Sequence, residues 1–146
     1  MKVNVLGTDY DILVKTGGED ECLRHGNWGY CDSTVHSIVI APFDHYPANM
    51  YEAADHQSER RATLRHEIIH AFLAESGLTY GSSWAQNENC VEWIAQMFPK
   101  LLKAFVSVGA LNDEERGMKI TLEASEIACS VLTADMVNAN AATVKG

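Results

Sequence analysis

Residues 65–73 read Arg-His-Glu-Ile-Ile-His-Ala-Phe-Leu, an H-E-x-x-H sequence inside a segment whose apolar residues recur at helical spacing. On a helix, His66 and His70 project from one face within about 40° of each other, and Glu67 stays on the same broad side. Two neutral imidazoles so placed can bind one Zn²⁺, with Glu67 beside the metal-bound water as its proton acceptor. The pattern therefore constrains the fold. One face of this helix has to pack inward through Leu64, Ile68, Ala71, Phe72 and Ala74, while the His face stays open to a substrate.

The chain has 146 residues, enough for one domain that buries a core without disulfides or a structural metal. Any metal is then expected to serve chemistry first. With 47% hydrophobic and 21% charged residues the composition is that of an ordinary folded protein. The net charge of −9 argues against nucleic acid as a partner, because phosphate binding needs clustered Lys and Arg. No apolar run has the length of a signal peptide or a membrane span, so the expected location is cytoplasmic with no membrane partner. Cys22, Cys31, Cys90 and Cys129 form no C-x-x-C pair and read as free thiols.

Residues 2–6 and 10–14 alternate apolar with polar positions around Gly7-Thr8-Asp9 and predict a β-hairpin. Residues 15–29 are rich in Gly, Asp, Glu and Asn and read as a surface loop with solvated charges. Tyr30-Cys31-Asp32 leads through a Ser33-Thr34 turn into residues 36–41, whose β-branched density marks the best strand. At a sheet edge beside the metal, that strand could hold an extended peptide by strand addition. Residues 43–57 read as an irregular connection. The H-E-x-x-H helix is expected to start at Ser58 as N-cap and to end at Ser76 before Gly77, with Arg60, Arg61 and Arg65 as a solvated basic patch. Glu75 reads as a surface acid or a carboxylate supporting the site from behind.

After a polar connection over residues 78–87, a second helix opens at Asn87 or Glu88 and runs towards Val106. It carries Val91, Ile94, Ala95 and Phe98 at helical spacing. Trp93 and Phe98 read as core, and Pro99 predicts a kink or interruption near Phe98. Asn112 to Glu115 has capping-box form. Residues 118–123 suggest a strand, residues 124–132 fit either strand or helix, and residues 138–146 read as frayed.

H-E-x-x-H alone supplies too few ligands for a catalytic zinc, which takes three protein ligands and leaves the fourth position to water. Glu88 opens the second helix eighteen positions after His70, and Glu92 lies one turn further on the same face. With Glu88 as third ligand, Glu92 can accept from the non-ligating nitrogen of a zinc-bound histidine, which fixes its tautomer. Glu92 is the competing ligand.

H-E-x-x-H followed by Asn87-Glu88 and an acid four positions on resembles the thermolysin-like gluzincins. The fuller text of residues 66–78, with Asn87-Glu88, Val91-Glu92-Trp93-Ile94-Ala95 and Phe98-Pro99-Lys100, is similar to the small zincin-like metallopeptidases of bacteriophages. Those are relatives of the ImmA/IrrE group, some of whose members cleave repressors. Gly29-Tyr30-Cys31-Asp32 and Ile38-Val39-Ile40 extend the resemblance over about residues 1–106. It implies an α+β, minimal zincin fold: a small, mostly antiparallel sheet on the H-E-x-x-H helix and a second, glutamate-bearing helix. Residues 1–106 would form the metallopeptidase core, with residues 107–146 an extension packed on the same domain.

It also implies one Zn²⁺ per chain on His66, His70 and Glu88, with Glu67 catalytic and Glu92 supporting a ligand. The partner would be a peptide or protein substrate, a regulatory protein of a host cell or phage. The alternative is a zinc site kept for folding or partner binding. The family commonly has Asp where Glu92 stands, so this side chain is one methylene longer. No motif identifies an oxyanion stabiliser among His36, His45, His56, Tyr46, Tyr51 and Tyr80. His36 taken alone reads as a surface or hydrogen-bonded histidine.

Overall fold

Leu6 and Gly7 both take positive φ, 50° and 98°, the pair of left-handed conformations that a two-residue hairpin turn needs. They join β1 (Lys2–Val5) to β2 (Thr8–Val14), paired antiparallel with Val5 opposite Thr8. The expected hairpin is present, with its tip shifted to Leu6-Gly7. Asn4 fixes the tip by accepting from the Gly7 N–H at 3.1 Å and donating to Asp9 at 2.7 Å. The computed structural model describes residues 1–42, 55–112 and 114–115.

The loop that follows is not merely solvated. Asp20, 9% exposed, caps a short helix α1 (Glu21–Arg24) and accepts from the Tyr30 hydroxyl at 2.8 Å and the Lys15 ammonium at 3.2 Å. These bonds hold its carboxyl below the usual range, the Tyr30 hydroxyl contributing most.

Next come β3 (Gly29–Asp32), a turn, and β4 (Ser37–Ile40). The strands form one mixed sheet in the order β1-β2-β4-β3. Two pairings are antiparallel, and β2 with β4 is parallel. β4 is interior, not the edge that strand addition requires. Its Ile38, Val39 and Ile40 are all buried, as expected for a continuous β-branched run covered on both faces. Among the described residues, the edge beside β4 belongs to β3.

Helix α2 (His56–Glu75) lies on this sheet. Ala71 enters the cluster of Val5, Tyr10, Ile12, Ile38 and Ile40, with Leu64 and Ile68 packed against it. The helix starts before Ser58. Asp55 is the N-cap and accepts from the Ser58 N–H at 2.9 Å; an Asp caps as well as a Ser and adds negative charge at the positive end of the dipole. The helix stops at Ser76, and Gly77 takes φ 75°. Ile69 and Leu73 meet Ala85 and Val91, so α2 is covered on two sides. Phe72, expected inward, is 41% exposed because residues 64, 68 and 71 serve the sheet while 69 and 73 serve the second helix.

The connection after Gly77 contains helix α3 (Leu78–Gly81) and a 3₁₀ turn (Ser83–Gln86). Asn87 then accepts from the Asn89 and Cys90 N–H groups at 3.0 and 3.3 Å and opens helix α4 (Glu88–Ser107). Small buried residues, Val91 and Ala95, form its inner face. Trp93 and Phe98, expected in the core, are 58% and 52% exposed. Pro99 lies inside α4 without ending it, contrary to the expected interruption. The Ala95 carbonyl, which has no N–H at position 99 to accept from, accepts instead from Arg65 Nε at 2.7 Å. Arg65 thus leaves the solvated patch to which its sequence neighbours Arg60 and Arg61 belong.

The architecture is α+β, a four-stranded mixed sheet with two long helices. The chain divides into two units, Met1–Pro99 and Lys100–Gly146. In the second, α4 continues to Ser107 and the expected capping box is formed: the Asn112 N–H donates to Glu115 and the Glu115 N–H to the Asn112 side chain. The connection at residues 43–54 and the readings for residues 118–146 lie outside the described residues. No helix among the described residues is long and apolar enough to cross a membrane.

Candidate metal centre

The i, i+4 spacing on α2 sets His66 and His70 on one face with their rings edge to face, 4.8 Å between centroids. The first residue of α4 meets them. Glu88 Oε2 lies 3.1 Å from His66 Nε2 and 3.3 Å from His70 Nε2, and the two Nε2 atoms are 3.0 Å apart. Four ligands 2.0–2.1 Å from a tetrahedral zinc lie about 3.3–3.4 Å from one another. One edge of this N, N, O triangle matches that and the other two fall just short of it. His66, His70 and Glu88 therefore form a group that can hold a metal ion.

Glu92 stands behind the triangle. Its Oε2 is 2.9 Å from His66 Nδ1, so a proton on Nδ1 leaves the Nε2 lone pair facing the other two ligand atoms. Gln96 donates to the other oxygen of Glu92 and holds the carboxylate in place. The extra methylene of Glu92 is thus accommodated. Glu88 belongs to the group that could hold a metal ion, whereas Glu92 reaches the far nitrogen of His66.

Glu67 is 6% exposed and lines a cleft of about 610 Å³ together with both histidines, Glu88 and Glu92. Burial pushes its carboxyl up to about 7, and the nearby Glu88 charge adds to the rise. His66 and the Cys31 backbone N–H, which donates to Glu67, oppose it. A carboxyl poised near neutrality is suited to taking and giving a proton. Burial also pushes the His70 imidazole down, against the opposing pull of Glu88, which favours the neutral, ligating form.

The opposite wall comes from β3. Trp28 O accepts from the Ala41 N–H, so by antiparallel alternation Tyr30 and Asp32 turn their backbone groups to β4, while Gly29 and Cys31 turn theirs away from it, where the Cys31 N–H donates to Glu67. Gly29 lies tight against the helix. A Cβ built there would be 2.9 Å from Thr63 Cγ2, 2.9 Å from the Val39 carbonyl oxygen and 3.2 Å from Glu67 Cγ. The Cys31 thiol is pushed up to about 12 by burial and by the Glu67 and Asp32 charges, which keeps it protonated and a poor metal ligand.

Glu75 is a support at the other end of α2. It accepts from the Tyr10 hydroxyl at 2.7 Å and from Thr8 at 2.9 Å, tying the helix to β2; those bonds hold its carboxyl low. His36, at φ 51°, meets the Tyr10 ring edge-on and lies 3.9 Å from Glu75. Of the expected oxyanion candidates, His36, His56 and Tyr80 are not among the cleft residues, and His45, Tyr46 and Tyr51 lie outside the described residues. Sequence reasoning passed over Gly29 and Cys31 as neighbours of Glu67. Their contact depends on strand pairing and helix docking, which no local pattern carries.

The chain matches no protein-family model, no curated protein and no solved structure.

Proposed function

We propose that the chain is a zinc-dependent peptidase that hydrolyses peptide bonds at the His66, His70 and Glu88 site. The observation that carries this reading is the convergence of three ligand atoms 3.0–3.3 Å apart on the wall of a cleft that also holds a buried Glu67. A site serving only to hold the fold together has no use for a desolvated carboxylate between its ligands. When bound there, Zn²⁺ supplies Lewis acidity and a water of lowered pKa.

The residues divide the remaining work. His66 and His70 present neutral nitrogens, and Glu92 keeps His66 in the right tautomer. Glu67 accepts the proton of the attacking water and passes it to the leaving amine. The β3 edge, through the backbone of Gly29 and the carbonyl of Cys31, offers groups along which an extended peptide can lie. The substrate class, a regulatory protein of a host cell or phage, rests on the sequence resemblance to phage zincin-like peptidases.

The test pairs metal content with cleavage of a mixed peptide library. Glu67→Gln should keep its zinc and lose turnover, whereas His66→Ala and His70→Ala should lose zinc. Cleavage by Glu67→Gln at the parent rate would refute the mechanism, and unchanged zinc in both histidine variants would refute the site.

One observation favours a second reading, a zinc site kept for folding. The ligands come from two helices, α2 and α4, so an ion bound there would stabilise their packing by linkage. That reading expects a large loss of melting temperature with chelator and no cleavage of the library by the metal-loaded parent.

A further inference from the structure

The ligand set is split between two helices, so its geometry depends on how far α4 has slid along α2. Three contacts link them in sequence: Glu88 with His70 and His66, Glu92 with His66, and the Ala95 carbonyl with Arg65. Positions 88, 92 and 95 lie on one face of α4 at helical spacing, and their partners run backwards along α2. The first two contacts are made by the metal site itself. The third is made by residues that serve no ligand.

That third contact exists because of Pro99. In an uninterrupted helix the carbonyl of residue 95 accepts from the N–H of residue 99, and proline has none. Ala95 is fully buried, so its carbonyl is shut off from water and has to find a donor within the protein. Arg65 Nε supplies it at 2.7 Å from the neighbouring helix. A bond that would have been internal to α4 has become one between α4 and α2, beside His66.

We infer that Arg65 and Pro99 are a matched pair of positioning residues that sets the register of α4 on α2 and so brings Glu88 and Glu92 to the histidines. The inference rests on the reading of His66, His70 and Glu88 as a metal site. Proline creates the vacancy and arginine fills it across the interface. One buried carbonyl thereby becomes a tether whose acceptor is not shared with an N–H at position 99 of its own helix. Arg65 touches neither metal nor substrate and acts only through the placement of Glu88 and Glu92.

A double-mutant cycle separates register from simple satisfaction of the carbonyl. Arg65→Met keeps the aliphatic stem and removes the donor; Pro99→Ala gives α4 its own N–H for Ala95. Zinc affinity is read by competition with a chromophoric chelator, and melting temperature by circular dichroism in excess chelator. Arg65→Met should lower both, with affinity falling about tenfold or more, the scale set by groups that orient metal ligands. In Arg65→Met/Pro99→Ala the chelated protein should recover its melting temperature, because the carbonyl is paired again, while the affinity stays low because the tether between helices is gone. Arg65→Lys, which keeps a donor, should bind zinc close to the parent level and covers the case in which Arg65→Met does not fold.

Parent-like affinity in the double variant, or in a folded Arg65→Met, would overturn the register role. So would Arg65→Lys losing affinity while it melts like the parent. A parent that takes up no zinc, or a His66→Ala variant that takes up as much as the parent, would overturn the metal-site reading and this inference with it. The two failures are thus told apart.

Discussion

Glu67→Gln should make the chelated protein more stable at alkaline pH, although it removes the residue assigned the chemistry. The carboxyl is 6% exposed and its pKa is raised from 4.5 to about 7. A group whose folded pKa lies above its unfolded value contributes stability that is fully present below the unfolded pKa. That contribution is lost as pH rises through the folded pKa. The window is therefore from about 4.5 to about 7. That rise corresponds to about 3 kcal/mol at full ionisation. Glutamine keeps the shape and an acceptor oxygen for the Cys31 N–H, and it never ionises. The two proteins should melt together near pH 4.5 and diverge as pH rises, glutamine ahead by about 6–12 °C at pH 8 for a chain of this size. The assay is a set of thermal melts followed by circular dichroism in excess chelator from pH 4 to 8.5. Every other titrating group is shared, so the difference curve isolates Glu67. A difference that stays flat across the range, or that narrows as pH rises, would show that Glu67 is not desolvated in the fold.

Glu92→Gln should fold normally and bind zinc about 10–100-fold more weakly, because the amide orients His66 without the charge that strengthens it as a ligand; chelator competition measures this, and parent-like affinity contradicts the role. Gly29→Ala should destabilise the fold by about 1–3 kcal/mol, the usual range for overpacking. Its added methyl meets the Val39 carbonyl at 2.9 Å, and a backbone atom gives way less readily than a side chain. Urea unfolding reads the effect, and an unchanged midpoint would mean that β3 backs away from α2 freely.

The grouping of His66, His70 and Glu88 was legible in the sequence because each half is local. His66 and His70 are fixed by helical spacing, as are Glu88 and Glu92, and the chain needed only to bring two helices together. The hairpin and the capping box at Asn112 were legible for the same reason. What failed depended on partners distant in sequence. The strand at residues 36–41 shows its β-branched density but not its neighbours, so whether it lies at an edge stays open until β2 and β3 are seen to flank it. Phe72, Trp93 and Phe98 were assigned to a core by apolar character, yet the faces that bury were chosen by Ala71, Val91 and Ala95, small residues that admit close packing. Pro99 signals a kink or an interruption in a lone helix; the interruption does not occur, and the Arg65 donor that takes up the freed carbonyl comes from thirty-four positions away. Asp20 looked like one loop charge among several until the Tyr30 hydroxyl closed on it.

Charge ties these features to the chemistry. Glu67, Glu88 and Glu92 all line one cleft with two histidines, so the fold gathers three carboxyl groups in one place. Glu67 responds by holding its proton to about pH 7, and Glu92 by taking the Nδ1 proton of His66 into a hydrogen bond. A dication held by the ligand triangle reverses the first response, because a positive charge nearby favours the ionised form of Glu67. At pH 7 and below, where the metal-free carboxyl holds its proton, a bound ion would then shift Glu67 towards the carboxylate form. The gap between the parent and Glu67→Gln melting curves at pH 8 should accordingly shrink when zinc is added, and it should persist if the ion binds elsewhere.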